Sequence, residues 1–178
     1  RYVPHMSWIY LVLGSILGAS SGDKLAIVDV DAPDSMMGIA AQVTNLVTTE
    51  AQKQGLTLVS NDELRTTLGS QKYLELKRCA GGPACVVQLL GAIDVRRVVL
   101  GQLGRDEKSY LLKLWLVDVQ QMSTVSQIDR SIFIASRRLQ RDIEQALPGF
   151  LRGEAEAVGS LFIDSTIRGA TASINGEP

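Results

Sequence analysis

VRRVVLGQLG (residues 95–104) and SYLLKLWLVDV (109–119) are two apolar, β-branched-rich runs separated by RDEK, a polar linker of hairpin length. In the second run Leu112, Leu114 and Leu116 share one face while Lys113 and Trp115 share the other, following the two-residue period of a strand. The turn-like VQQMS (119–123) leads into TVSQIDRSIFIA (124–135), where Ile128, Ile132 and Ile134 alternate with polar or turned-away residues. Three such runs in succession predict an antiparallel meander.

Upstream, LAIVDVD (25–31) reads as a buried first strand that stops at the turn-forming DAPD. Ile39, Val43, Leu46 and Val47 then recur at helical spacing, with Asp34 or Ser35 available to accept from the open amides of the first turn and Gly55 at the expected C-cap. LTLVS (56–60) is a short second strand, after which Asn61 is expected to cap a helix carrying Leu64 and Leu68. QKYLELKR (71–78) continues as a polar helix. CAGGPAC (79–85) breaks it, and Pro83 starts another helix that runs to Leu90 and closes at Gly91. Beyond the meander, Leu139, Ile143 and Leu147 form a helical stripe that Pro148 and Gly149 are expected to end. Strand, helix, strand, helices, three strands, helix is the order of an α/β (α+β) domain with a mixed sheet of about five strands covered by helices.

The apolar, uncharged WIYLVLGSIL (8–17) is short for a bilayer-spanning helix, which needs about 20 residues, and is followed by the small residues GASSG. It reads as an export signal over residues 1–21, cleaved after Ala19 or Ser21, leaving no transmembrane span in the mature chain. The expected organisation is therefore signal 1–21, α/β domain 23–152, linker 153–158 and a β-rich segment 159–178.

The 178 residues carry 19 acidic and 18 basic side chains, so no global field favours nucleic acid or an anionic surface. Arg137, Arg138 and Arg141 lie on a helix whose Leu139 and Ile143 point inward, the pattern of a solvated face. His5, the only histidine, precedes the signal run, which removes histidine chemistry from the mature chain. GQLGRDEK (101–108) lacks the phosphate-loop pattern and reads as a hairpin, and Asp29 and Asp31 read as strand-end residues at a turn. With no GxSxG elbow, no CxxC spacing and too few ligands for zinc, the expectation is a protein without catalytic residues, cofactor or metal. Trp115 is expected under a helix in the core. Cys79 and Cys85 flank a five-residue turn, and in an exported chain two thiols this close are expected to be oxidised to a disulfide.

LAIVDVD, LVSNDEL (58–64), CAGGPACVVQLLGAIDVRRVVLGQLG (79–104) and LLKLWLVDV (111–119) together resemble the TolB amino-terminal-like (CsgG-like) family of bacterial envelope domains, over roughly residues 25–152. The resemblance implies an architecture related to that of periplasmic activators of peptidoglycan synthases. GSLFIDSTIRGATASING (159–176) resembles the start of a PEGA domain through Gly159, Leu161, Ser165, Gly169, Ala170, Asn175 and Gly176, with Ile167 where that pattern usually has proline. It reads as an incomplete second module. The resemblance implies a non-catalytic periplasmic or outer-envelope protein acting as adaptor or assembly subunit, whose partners are other envelope proteins or further copies of itself. The alternative it leaves open is binding of glycan, peptidoglycan or another polysaccharide through the PEGA-like region.

Overall fold

The computed structural model describes residues 24–134 and 138–154. The expected signal, Arg137 and the PEGA-like segment lie outside the described residues. The elements run β1 (Leu25–Ile27), α1 (Met37–Lys53), β2 (Leu58–Val59), α2 (Asn61–Leu68), α3 (Ser70–Lys77), α4 (Pro83–Leu90), β3 (Arg97–Arg105), β4 (Ser109–Asp118), β5 (Ser123–Phe133) and α5 (Leu139–Arg152). They build an α/β fold around a five-stranded mixed sheet of order β2-β1-β3-β4-β5. The first three of those neighbours are parallel, while β3, β4 and β5 form the antiparallel meander.

A parallel strand in the middle of a sheet must bury both faces, and β1 does so with adjacent residues. Leu25 and Ile27 enter one core with Val43 and Val47 of α1 and Ile143, Leu147 and Phe150 of α5. Ala26 and Val28 enter the other with Leu64 of α2, Leu76 of α3 and Val86 and Leu90 of α4. The meander divides in the same way. Leu112, Leu114 and Leu116 belong to the first core, Trp115 and Val117 to the second.

The run 25–31 follows β3 throughout, but its regular strand stops at Ile27. Val28 and Asp31 still donate to the carbonyls of Val99 and Gly101, and Leu103 donates to Asp31. On the opposite side, the amides of Asp29 and Val30 donate instead to the Tyr73 hydroxyl and Thr44 Oγ1, so side chains replace a neighbouring strand.

Three expected boundaries are corrected. Asp34 and Ser35 do not cap α1: residues 34–36 form a single 3₁₀ turn, and α1 begins without a side-chain cap. The cap of α2 is Ser60, whose hydroxyl accepts from Glu63 N–H at 3.1 Å, one residue before Asn61. Pro148 and Gly149 do not end α5, which continues to Arg152. Proline removes one amide from the ladder, but Phe150 and Leu151, at 2% and 1% exposure, prolong the apolar stripe and their burial holds the last turn. The helix ends at Gly153, whose φ of +76° is the left-handed cap position, and Glu154 N–H bonds back to Gly149 O.

Candidate functional site

At the carboxyl end of β1, beside β2 and the first turn of α2, four polar side chains converge: Asp29, Asn61, Arg65 and Tyr73. Asp29 receives Arg65 Nη2 on Oδ2 at 2.6 Å and Asn61 Nδ2 on Oδ1 at 2.8 Å. The Tyr73 hydroxyl lies 3.0 Å from both Asp29 Oδ2 and Asn61 Oδ1 and accepts from Asp29 N–H. Burial pushes the Tyr73 phenol above its ordinary pKa, so it stays a donor, and the Arg65 guanidinium stacks 4.7 Å from the centroid of its ring. Contact first with Tyr73 and then with Asp29 raises the guanidinium further. Two residues on, Asp31 pairs with Lys77 Nζ at 3.5 Å.

This arrangement is a latch. A general base needs a carboxylate open to a substrate proton, whereas Asp29 is held by an arginine, an amide and a phenol from α2 and α3. Asp118 is likewise occupied: Oδ1 accepts from Gln120 and Gln121 N–H at the turn after β4, and Oδ2 pairs with Arg96 at 3.6 Å. Among the described residues, no group of three or more His, Cys, Asp or Glu is placed to hold a metal ion. Asp29 and Asp31 stand at the strand end that the sequence predicts, but their partners are not legible there, because Tyr73 lies in a helix of polar composition and Arg65 on the polar side of the helix that carries Leu64 and Leu68. The one available signal was Tyr73 three residues before Leu76, the spacing of an inward face.

Cys79 and Cys85 are joined in a disulfide with Cα atoms 5.6 Å apart. The loop it closes lies on Trp115, which is buried at 9% exposure. Gly81, at φ +72°, touches the indole so closely that a Cβ there would stand 2.3 Å from Trp115 Cγ. Its carbonyl accepts from Thr124 Oγ1 at 3.2 Å, which ties the loop to β5. Lys113, on the same face of β4, is exposed and pairs with Asp129 at 3.3 Å. Arg138 and Arg141 are exposed at the start of α5, opposite the buried Ile143.

No family model matches the chain, and no curated protein matches it. Among solved structures it is similar to TolB from Acinetobacter baumannii, with 17% identity and a TM-score of 0.46 over 74% of this chain and 29% of that one. It is also similar to the LpoB C-terminal domain from Escherichia coli, with 19% identity and a TM-score of 0.46 over 62% and 82% of the two chains. A third similar structure is lipoprotein GNA1162 from Neisseria meningitidis, with 13% identity and a TM-score of 0.47 over 69% and 95%. The chain thus spans less than a third of that TolB's length. Likeness at this level says nothing about function.

Replacing Asp29 with alanine leaves Arg65 and the Asn61 amide without their acceptor and the Tyr73 hydroxyl with Asn61 Oδ1 alone, and is expected to lower stability by about 2 kcal/mol, read from urea denaturation at unchanged slope. A loss under about 0.5 kcal/mol, the range of an ordinary surface change, would show that the latch holds nothing. The Cys79→Ala, Cys85→Ala double variant is expected to lose about 2 to 3 kcal/mol, as loop-closure entropy gives for so short a loop. In a Trp8→Phe background its Trp115 emission should shift to longer wavelength. Unchanged emission would mean that the loop stays on the indole without the bridge.

Proposed function

We propose that this chain is a non-catalytic cell-envelope protein that works by binding another envelope protein, as an adaptor or assembly subunit. The observation that carries this reading is a corner of the sheet that the helices leave open. On the face covered by α2 to α4, Trp115 and Val117 are buried, but further along β4 Leu111 is 41% exposed and Phe133 of β5 is 45% exposed. Their registers, Leu111 opposite Ser131 and Ser109 opposite Phe133, make them diagonal neighbours on one face. Leu111 also lines a groove of about 490 Å³ with Gln102, Gly104 and Lys113. Two large apolar side chains flanked by the Lys113–Asp129 pair suit a protein contact with an apolar centre and a charged rim. The family resemblance of residues 25–152 and the oxidised cysteine pair support an exported, envelope location.

The same reading keeps residues 1–21 as a cleaved signal, 153–158 as linker and 159–178 as the beginning of a separate PEGA-like module. Fold geometry supports the boundary. β5 runs parallel to β1, and α5 lies in the same helical layer as α1. A strand added beyond β5 through α5 would therefore need a crossover of the opposite hand to β1–α1–β2, and crossovers are right-handed in about 98% of cases. The capped end of α5, where Glu154 O accepts from Ser126 Oγ at 3.4 Å, is a natural close to the domain.

A photocrosslinking amino acid at position 111 of the full chain, expressed in an envelope-bearing host, should form a protein adduct that the same group at exposed Gln88 does not. Leu111→Asp combined with Phe133→Asp should weaken the recovered complex at least about tenfold, since anchors at an interface are worth about 2 kcal/mol or more. Equal crosslinking at positions 111 and 88 would overturn the reading. Removing residues 155–178 should move the melting temperature by less than about 2 °C, whereas loss of an integral strand would lower it by about 4 °C or more.

A further inference from the structure

The opposite edge of the sheet carries a different kind of surface. A groove of about 380 Å³ runs between the flank of α1 and the edge strand β2, and ends at Asp29 and Asn61. That volume lies in the range of about 300 to 1,000 Å³ that small-ligand sites occupy. One end of it reaches the carboxyl ends of β1 and β2. From the geometry we infer that this groove is a binding site for an uncharged, hydroxyl-rich ligand, a segment of glycan.

The lining decides the chemistry. Asn45 and Gln52 project from α1 on the flank that also carries Thr48, and Ser60 and Asn61 face them from the β2 side. The side-chain amides of Asn45 and Gln52 make no hydrogen bond within the described residues, so both offer two donors and an acceptor to the groove. Ser60 accepts from Glu63 N–H and keeps its hydroxyl proton to donate, while Asn61 spends one of its two N–H groups on Asp29. Groups that both donate and accept match sugar hydroxyls, which do the same. The only charge in the lining, Asp29, is paired with Arg65, so the groove offers nothing to a phosphate or another strong anion.

The strand side of the groove is apolar, with Ile27 and Leu58 in its lining, and suits the C–H face of a pyranose ring. Part of the polar lining is held in place before any ligand arrives. Thr44 ties α1 to Val30 N–H, the cap bond holds Ser60, and the Asp29 latch holds Asn61. Little side-chain order remains to be lost at those positions on binding. An extended peptide is the poorer occupant, because strand addition draws its affinity from a backbone ladder and β2 is two residues long.

The test is an amide chemical-shift titration of the full chain with a neutral N-acetylglucosamine oligosaccharide and, in parallel, a neutral glucose oligosaccharide. Saturable shifts confined to Asn45, Thr48, Gln52, Ser60 and Asn61 are expected with at least one sugar, and a response to one alone names the preferred source. Asn45→Ala and Gln52→Ala should each weaken that binding about three- to tenfold, one hydrogen bond's worth, with the melting temperature unchanged. Three outcomes would overturn the inference. These are no saturable shift in the groove with either sugar up to about 10 mM, the limit of weak specific binding; shifts that both variants leave untouched; or tighter binding there by a neutral Gly-Ser peptide than by either sugar. The crosslink at position 111 reads the other edge of the sheet, so either result can fail without the other.

Discussion

The fold depends on one short strand whose two faces must both be covered. β1 is three residues long, yet it separates two cores and is the only strand hydrogen-bonded to both β2 and β3. Two paired residues on the β2 side and three on the β3 side are too few to hold the parallel half of a sheet in register. The next residues therefore carry the load by other means. Asp29 and Val30 exchange backbone partners for the Tyr73 and Thr44 side chains, so each helical layer is bonded to the strand it packs upon. Asp29's carboxylate adds α2 to the same point through Arg65 and Asn61. What looks in outline like an acidic site at the end of a strand is a structural joint whose carboxylate is held by Asn61, Arg65 and Tyr73.

The second core closes differently. α2, α3 and α4 are each eight residues long, and a layer of such short helices does not reach across the whole meander. The Cys79–Cys85 loop covers the next part by lying on Trp115. Burying an indole of roughly 200 Å² at about 25 cal/mol per Å² is worth on the order of 5 kcal/mol, more than the bridge itself contributes. The disulfide matters chiefly because it holds a glycine against that ring. Beyond the loop, Leu111 and Phe133 are each partly exposed.

The two edges of the sheet are thus unlike. At β5 the surface is apolar with a charged rim and is suited to another protein. At β2 it is a groove of amides and hydroxyls with its single charge already paired. The adaptor reading rests on the first of these edges and the glycan groove on the second, so the two proposals occupy separate surfaces of one sheet.

The amino-acid order alone sets the elements and their inward faces. Leu112, Leu114 and Leu116 alternate with Lys113 and Trp115, and Ile143 and Leu147 stand four apart, because burial imposes a period that local spacing records. It also brought Cys79 and Cys85 within reach of each other, since a five-residue turn leaves the two ends close. Three local readings failed where tertiary burial outweighed local preference. Phe150 and Leu151 carried α5 past Pro148, Asn61 gave up the cap to reach Asp29, and Met36 turned inward ahead of α1. Only the tertiary structure decided which side chains meet at the end of β1. Asp29 lies 32 residues from Asn61, 36 from Arg65 and 44 from Tyr73, and no periodic signal connects residues on separate elements at such distances. It also decided what stays uncovered. An exposed Leu111 and a buried Trp115 occupy equivalent positions on one face of one strand, and the difference between them is where the helical layer and the Gly81 loop end.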